Sequence, residues 1–185
     1  MEVTAAAIAS GEAVAMMADM KKKKKLKRVM VALDESDVSL YALKWALDVF
    51  LPSMAEEAKL TIVHVQPPFE SYIYTVGPVI YAKPPEIELM RKAQQEGAEK
   101  LFAQALPLCS ANKVNADTLV LEGDAKDMIC EATEKMEVDL LVMGSRGLGM
   151  IKRTLLGSIS DYCVHHAKCP VLIVRTPKEM TTTHK

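Results

Sequence analysis

Five short apolar runs punctuate the chain, and each gap between them is long enough for at least one helix. They are RVMVALD (28–34), KLTIVHV (59–65), ADTLVLE (116–122), VDLLVM (138–143) and PVLIVR (170–175). Near-continuous rather than alternating hydrophobicity is the mark of strands buried on both faces, as in a parallel sheet. Between the runs the apolar period changes to that of a helix. Val38, Tyr41, Ala42, Trp45 and Val49 recur at helical spacing, with Pro52 as the stop. A second helix is expected from Pro85 to about Leu108, with Met90, Ala93, Gly97, Leu101, Ala105 and Leu108 on one face. Gly123-Asp124 turns and caps a third, whose stripe is Ala125, Met128, Ile129, Ala132 and Met136. The last runs from Ser158 to about His166, with Ile159, Tyr162, Cys163 and His166 on its apolar side. Strands alternating with helices in this way predict an α/β fold, a five-stranded parallel sheet with helices on both faces. Residues 67–85 carry five prolines and three tyrosines and read as a long loop or lid rather than an element.

Composition adds limits. A chain of 185 residues suits one domain with tails. Half of its residues are hydrophobic but only 5% aromatic, so the core is expected from Val, Leu, Ile, Ala and Met. No apolar run approaches the roughly 18 residues that span a bilayer, and the chain reads as soluble. Cys109, Cys130, Cys163 and Cys169 show no CxxC spacing, which suits free, mostly buried thiols in a reducing compartment, the cytoplasm. The net charge of −1 hides an asymmetry: residues 1–28 carry +4 and the remainder −5. The acidic body gives no sign of a nucleic-acid site. Residues 1–26 read as a disordered basic arm and 177–185 as a polar tail. The lysine run from Lys21 to Arg28 is most simply a solvated lead into the first strand. Its alternative use is nuclear import or contact with an anionic surface.

The stretch richest in chemistry is GSRGLGMIKRTLLGS (144–158), between the fourth strand and the last helix. In open α/β sheets ligands bind beyond the carboxyl ends of the strands, and a helix N-terminus there favours an anion. Gly144 and Gly147 would let backbone approach a phosphate, Gly157-Ser158 would add N–H groups and a hydroxyl, and Arg146, Lys152 and Arg153 neutralising charge. A Walker A loop is excluded, because no G-x-x-x-x-G-K-[ST] run occurs. So is a dinucleotide fingerprint, since DESDVS follows the first strand and position 152, where a third glycine would fall, is Lys152.

The spacing that is present is G-x2-G-x9-G-S, through Gly144, Gly147, Gly157 and Ser158. With VMVALDESDVSLYALKWAL, LTIVHV, DLLVMGSRG and GSISDYCVHHAKCPVLIVR in order around it, the chain resembles the ATP-binding branch of the universal stress protein family over residues 27–176. The resemblance implies an adenine nucleotide alpha hydrolase-like, Rossmann-like fold of strand order 3-2-1-4-5. It places Ala32, Leu33 and Asp34 beside adenine and ribose, Val65 against adenine, and Met143 and Gly144 at the ribose. It puts Gly147, Gly157, Ser158, Ile159 and Ser160 around the phosphates, with Arg146 nearby. The implied ligand is ATP, or bound AMP or ADP, with a divalent metal such as Mg among the phosphate oxygens. The final strand, from Pro170 to Arg175, would be an open edge, and its pairing with a second copy predicts a homodimer.

These readings point to a nucleotide-dependent sensor or signalling module. A slow metal-dependent ATPase is the first alternative; no dedicated base stands at a motif position, and Asp34 is the sole acidic candidate. A chaperone-like or redox-responsive interaction protein, with ATP secondary, is the second. Cys163-x-His165-His166-x2-Cys169 is read as structural rather than as a zinc site, and His64 as a packed core histidine.

Overall fold

A computed structural model describes residues 26–50, 58–68, 84–145 and 156–177. The expectations for the basic arm up to residue 25, Pro52, most of segment 67–85, the loop 146–155 and the tail from 178 lie outside the described residues. The strands are β1 (Arg28–Ala32), β2 (Lys59–Gln66), β3 (Ala116–Glu122), β4 (Leu140–Gly144) and β5 (Val171–Val174). The helices are α1 (Asp37–Trp45, continued by a π turn at Ala46–Phe50), α2 (Pro84–Ala111), α3 (Ala125–Lys135) and α4 (Ser158–His166). The strands form one parallel sheet in the order β3-β2-β1-β4-β5.

Strand alternation divides the apolar residues between two cores. Val29, Val31, Leu60, Ile62, Leu140 and Val142 face α1 and α2, where Ala42, Leu43, Leu101 and Ala105 meet them. Met30, Ala32, Val63, Leu141 and Met143 face α3 and α4, against Ile129, Ala132 and Cys163. Met30, Val31, Ile62, Leu141 and Val142 have essentially no solvent exposure. Each such side chain is worth roughly 1.5–3 kcal/mol of transfer free energy, which is why the strand runs need no polar alternation.

Local signals set the element ends. Ser36 caps α1 by accepting from Ser39 N–H, and Asp124 caps α3 by accepting from Lys126 N–H. Lys113 and Glu137, at φ 58° and 49°, take the left-handed position after α2 and α3. Val114 N–H then donates to Cys109 O at 3.0 Å, and Val138 N–H to Thr133 O at 2.9 Å, closing both helices. Asp139 Oδ2 accepts from Lys27 N–H (2.9 Å) and Arg28 N–H (3.0 Å), fastening the start of β1 to the start of β4.

Three helix faces differ from the sequence expectation. In α1 and its π turn the buried stripe is Ser39, Ala42, Leu43, Ala46 and Leu47, and Val49 is 59% exposed. The small residues make the close approach to the sheet, Trp45 and Tyr41 flank it, and the wider π turn carries Val49 outward. In α2 the buried positions are Ala98, Leu101, Ala105 and Cys109, while Ala93 is exposed and the helix continues past Leu108 to Ala111. In α4 Ser160 and Cys163 turn inward, and His166 lies outside, stacked on Tyr162 at 3.8 Å between ring centroids. His64 is half-buried, its Nδ1 3.0 Å from Leu33 O.

Candidate functional site

β1 and β4 are neighbours at the centre of the sheet, yet the chain leaves β1 for α1 on one face and β4 for α4 on the other. Their carboxyl ends therefore diverge and open a crevice. A cavity of about 340 Å³ lies there. Its floor is apolar: Ala32, Val63, Val65 and Met143 from the strands, with Ala125 and Ile129 from the first turns of α3. Asp34, Ser39, Gly144 and the segment Gly157, Ser158, Ile159 and Ser160 complete its wall.

The β1–β2 ladder ends where Leu33 N–H donates to Val63 O at 2.9 Å. Along β2, residues of one parity turn their backbone groups to β1 and those of the other to β3. Val63 faces β1, so Val65 does too, at a level where β1 has already ended at Ala32. Its N–H and C=O are aimed along the cavity side of the strand, which suits recognition of a flat polar edge.

Asp34 sits one turn of pleat beyond Ala32. Its Oδ1 accepts from Ser36 N–H at 3.1 Å and from the Ser36 hydroxyl. Ser39 Oγ accepts from Asp34 N–H (3.2 Å), and its single proton lies between two acceptors, Asp34 O (2.8 Å) and Ser36 O (2.9 Å). Asp34 thus braces the start of α1 through Ser36 and Ser39 and lines the cavity as well.

Across the cavity stands the N-terminus of α4. Gly157 is its N-cap and has no side chain to accept from the first-turn N–H groups. Those donors and the helix dipole form a ready anion site. Gly157 N–H donates to Ser145 O at 2.8 Å, and the buried Ser160 hydroxyl donates to Gly144 O at 2.9 Å, so α4 is pinned to the end of β4. Gly144 itself has a steric role: a Cβ there would lie 3.1 Å from Ser39 N, Val38 C and Val38 Cγ1. Its missing side chain admits α1, a steric role that stands beside the phosphate approach expected of this glycine from the sequence.

Behind the cavity, Cys130 and Cys163 join α3 to α4 with their sulfurs 3.8 Å apart. Burial, and then the neighbouring Cys130, push the Cys163 thiol far above its ordinary range, and the four cysteines are free. His165 and His166 direct Nδ1 to carbonyls of their own helix. Among the described residues no three His, Cys, Asp or Glu side chains converge as metal ligands.

Ala32, Leu33, Asp34, Val65, Met143, Gly144, Gly157, Ser158, Ile159 and Ser160 all line this one cavity. Arg146 and Gly147 lie outside the described residues. Sequence reasoning missed Val63, Ser39, Ala125 and Ile129. Val63 was within reach, two residues before Val65 and so on the same face of the strand. Ala125 and Ile129 share a helix face one turn apart, but that α3 leans over the β1–β4 crevice is a tertiary fact.

The description "Universal stress protein family" belongs to the family model that matches residues 25–175. Universal stress protein A-like protein of Arabidopsis thaliana is 31% identical over 163 residues, covering 83% of this chain and 93% of that protein. Among solved structures, a universal stress protein family protein from Arabidopsis thaliana with AMP bound is 28% identical, with a TM-score of 0.61 over 85% of this chain and 96% of its own. A universal stress protein solved in complex with cAMP is 25% identical, with a TM-score of 0.55 over 81% and 97%.

Proposed function

The chain belongs to the universal stress protein family, and from that membership we propose that it is an adenine-nucleotide-binding module of stress signalling, a homodimer whose state reports the nucleotide it holds. The observation that carries this reading is the cavity at the β1–β4 divergence, apolar at one end and bounded at the other by an uncapped helix N-terminus. An adenine fits against Val63, Val65, Ala125 and Ile129, with its polar edge on the Val65 backbone. The ribose lies between Asp34 and Met143-Gly144, and the phosphates meet the first turn of α4 at Gly157, Ser158, Ile159 and Ser160, with Arg146 and Gly147 from the preceding loop. The relatives solved with AMP and cAMP support an adenine nucleotide; ATP is the form proposed for this chain. The described residues gather no metal-ligand cluster of their own, so a divalent ion such as Mg would be held through phosphate oxygens, and no part of the proposal runs through it.

Binding rather than turnover is the proposed activity. Asp34 is the single carboxylate lining the cavity among the described residues, and one of its oxygens already holds Ser36. The homodimer would form through β5, an edge strand whose Val171, Leu172 and Ile173 are half-buried in the lone chain. No described helix is long and apolar enough to cross a membrane; the proposed location is the cytoplasm, with nuclear entry through Lys21 to Arg28 as the alternative.

Mass spectrometry of the small molecule released from protein purified without added nucleotide is the direct test, followed by melting with ATP, ADP and AMP. A bound adenine nucleotide and a raised melting temperature are expected. Protein that co-purifies with none, and whose melting does not move at millimolar nucleotide, overturns the reading.

A further inference from the structure

We propose that Ser36 is the positioning residue for sugar selectivity: by clamping one oxygen of Asp34 it leaves the other to accept from the ribose hydroxyls, so the cavity prefers a ribonucleotide to its deoxy analogue. The inference rests on the nucleotide reading above. Ser36 does not line the cavity and acts only through Asp34.

Alternation along β1 and its extension puts Asp34 on the same side as Met30 and Ala32, the side of the cavity. Its Oδ1 is used twice, by the backbone N–H and the hydroxyl of Ser36. Two donors on one oxygen fix the plane of the carboxylate. The Asp34 backbone is fixed in turn, since Ser39 Oγ bridges its N–H and C=O. Ser36 cannot swing away, because its Oγ also caps α1 through Ser39 N–H at 3.3 Å. The bonds of Asp34 among the described residues thus all fall on Oδ1 and the backbone, and Oδ2 keeps its lone pairs.

An ionised carboxylate accepts and never donates. It repels phosphate, which fits the separate anion site at α4, and it attracts the vicinal hydroxyls of a ribose. A ligand lacking one of these hydroxyls leaves a partly desolvated charge unpaired, and sites built around such a bond reject the analogue strongly. Because the cavity opens to solvent, the expected discrimination is about 10- to 100-fold.

The test is calorimetric affinity for AMP, 2′-deoxyAMP and 3′-deoxyAMP with wild-type, Ser36→Ala and Ser36→Thr proteins, each melted in parallel. Wild type is expected to bind AMP at least tenfold tighter than one of the deoxy forms. Ser36→Ala should lose most of that ratio through weaker AMP binding, with deoxy affinity within about twofold of wild type, and Ser36→Thr should restore it. Lower melting of Ser36→Ala, from its lost helix cap, cannot by itself produce a change in ratio. Equal wild-type affinity for all three ligands overturns the selectivity and leaves nucleotide binding standing. A Ser36→Ala protein that weakens all three in proportion reduces Ser36 to a structural cap. Failure of wild type to bind any of them, or ATP titrated beside them, sinks the nucleotide reading itself.

Discussion

Gly144→Ala tests whether the end of β4 is glycine for steric reasons. The added methyl would meet Ser39 N, Val38 C and Val38 Cγ1, each at 3.1 Å, against the roughly 3.5–4.0 Å at which such contacts are attractive. Two of the three atoms are backbone in the first turn of α1, so the clash cannot be relieved by a rotamer. Either β4 or α1 must yield by a few tenths of an ångström, and both are anchored by buried residues, among them Val142, Ala42 and Leu43. Overpacking of this sort costs roughly 1–3 kcal/mol. Replacing glycine also stiffens the unfolded chain, which returns about 0.4–1 kcal/mol. The net loss is centred near ~1.5 kcal/mol, a melting decrease of about 3–6 °C for a chain of this size. Urea unfolding and calorimetric melting measure both, with Gly157→Ala as the contrast. Gly157 has φ −72° and ψ 152°, open to alanine, so its fold should tolerate the change while the anion site next to it feels it. Gly144→Ala protein that melts within a degree of wild type would refute the steric account.

Four further outcomes follow from named contacts. Asp139→Ala strips the acceptor from Lys27 N–H and Arg28 N–H and should cost about 1–2 kcal/mol in urea unfolding. Pro107→Ala, in the exposed last part of α2, restores a donor to the helix ladder and should raise stability by about 1–2 kcal/mol. Cys163 has its thiol pKa raised from an ordinary 9.0, so the folded state keeps a proton that the unfolded state releases. Its contribution is whole below pH 9 and declines above it, by at most ~1.4 kcal/mol per pH unit, and Cys163→Ala should flatten that decline between pH 9 and 11. In β5, Ser145 N–H reaches Val174 O and Leu141 N–H reaches Pro170 O, so Ile173 turns its N–H outward. Ile173→Pro should therefore abolish the proposed dimer in analytical ultracentrifugation while sparing the β4–β5 ladder.

What the sequence made legible follows from how each element is buried. The strands are covered on both faces, so Val29–Ala32 and Leu140–Met143 announce themselves by composition alone. The N-cap Asp124 acts within two residues of itself and was equally visible. The face of α2 was not. At 28 residues the helix is about 42 Å long, whereas the longest strand, of eight residues, spans about 26 Å. Ala93 continues the apolar period yet stands exposed, over an open groove that it lines with Glu35, Asp37 and Leu40. His166 failed for a related reason. Helical spacing placed it with Tyr162, and the two do meet, but on the outer side of α4 as a stacked pair. At the site, the loop pattern itself singled out Gly144, Gly157 and Ser158, while the strand-end residues and Ile159 and Ser160 came from the family resemblance. Ser39 escaped because its contribution depends on β4 lying against the first turn of α1.

The proposed sensor role needs a physical link between nucleotide and dimer edge, and Ser145 supplies one. This buried residue follows Gly144 at the end of β4. Its C=O accepts from Gly157 N–H, the cap of the helix that would receive phosphate, and its N–H donates to Val174 O in β5, each at 2.8 Å. One peptide step thus separates the anion site from the strand offered to a second copy. The Ser160 hydroxyl on Gly144 O ties α4 to the same point, so a ligand that draws the first turn of α4 inward acts on β4 and β5 together. Coupling of this kind is reciprocal: nucleotide that favours one dimer geometry must be bound more tightly by it, to the same factor. A module of the proposed kind would have no need of a catalytic base, because a difference in nucleotide affinity between two dimer geometries would itself supply the energy that moves the edge.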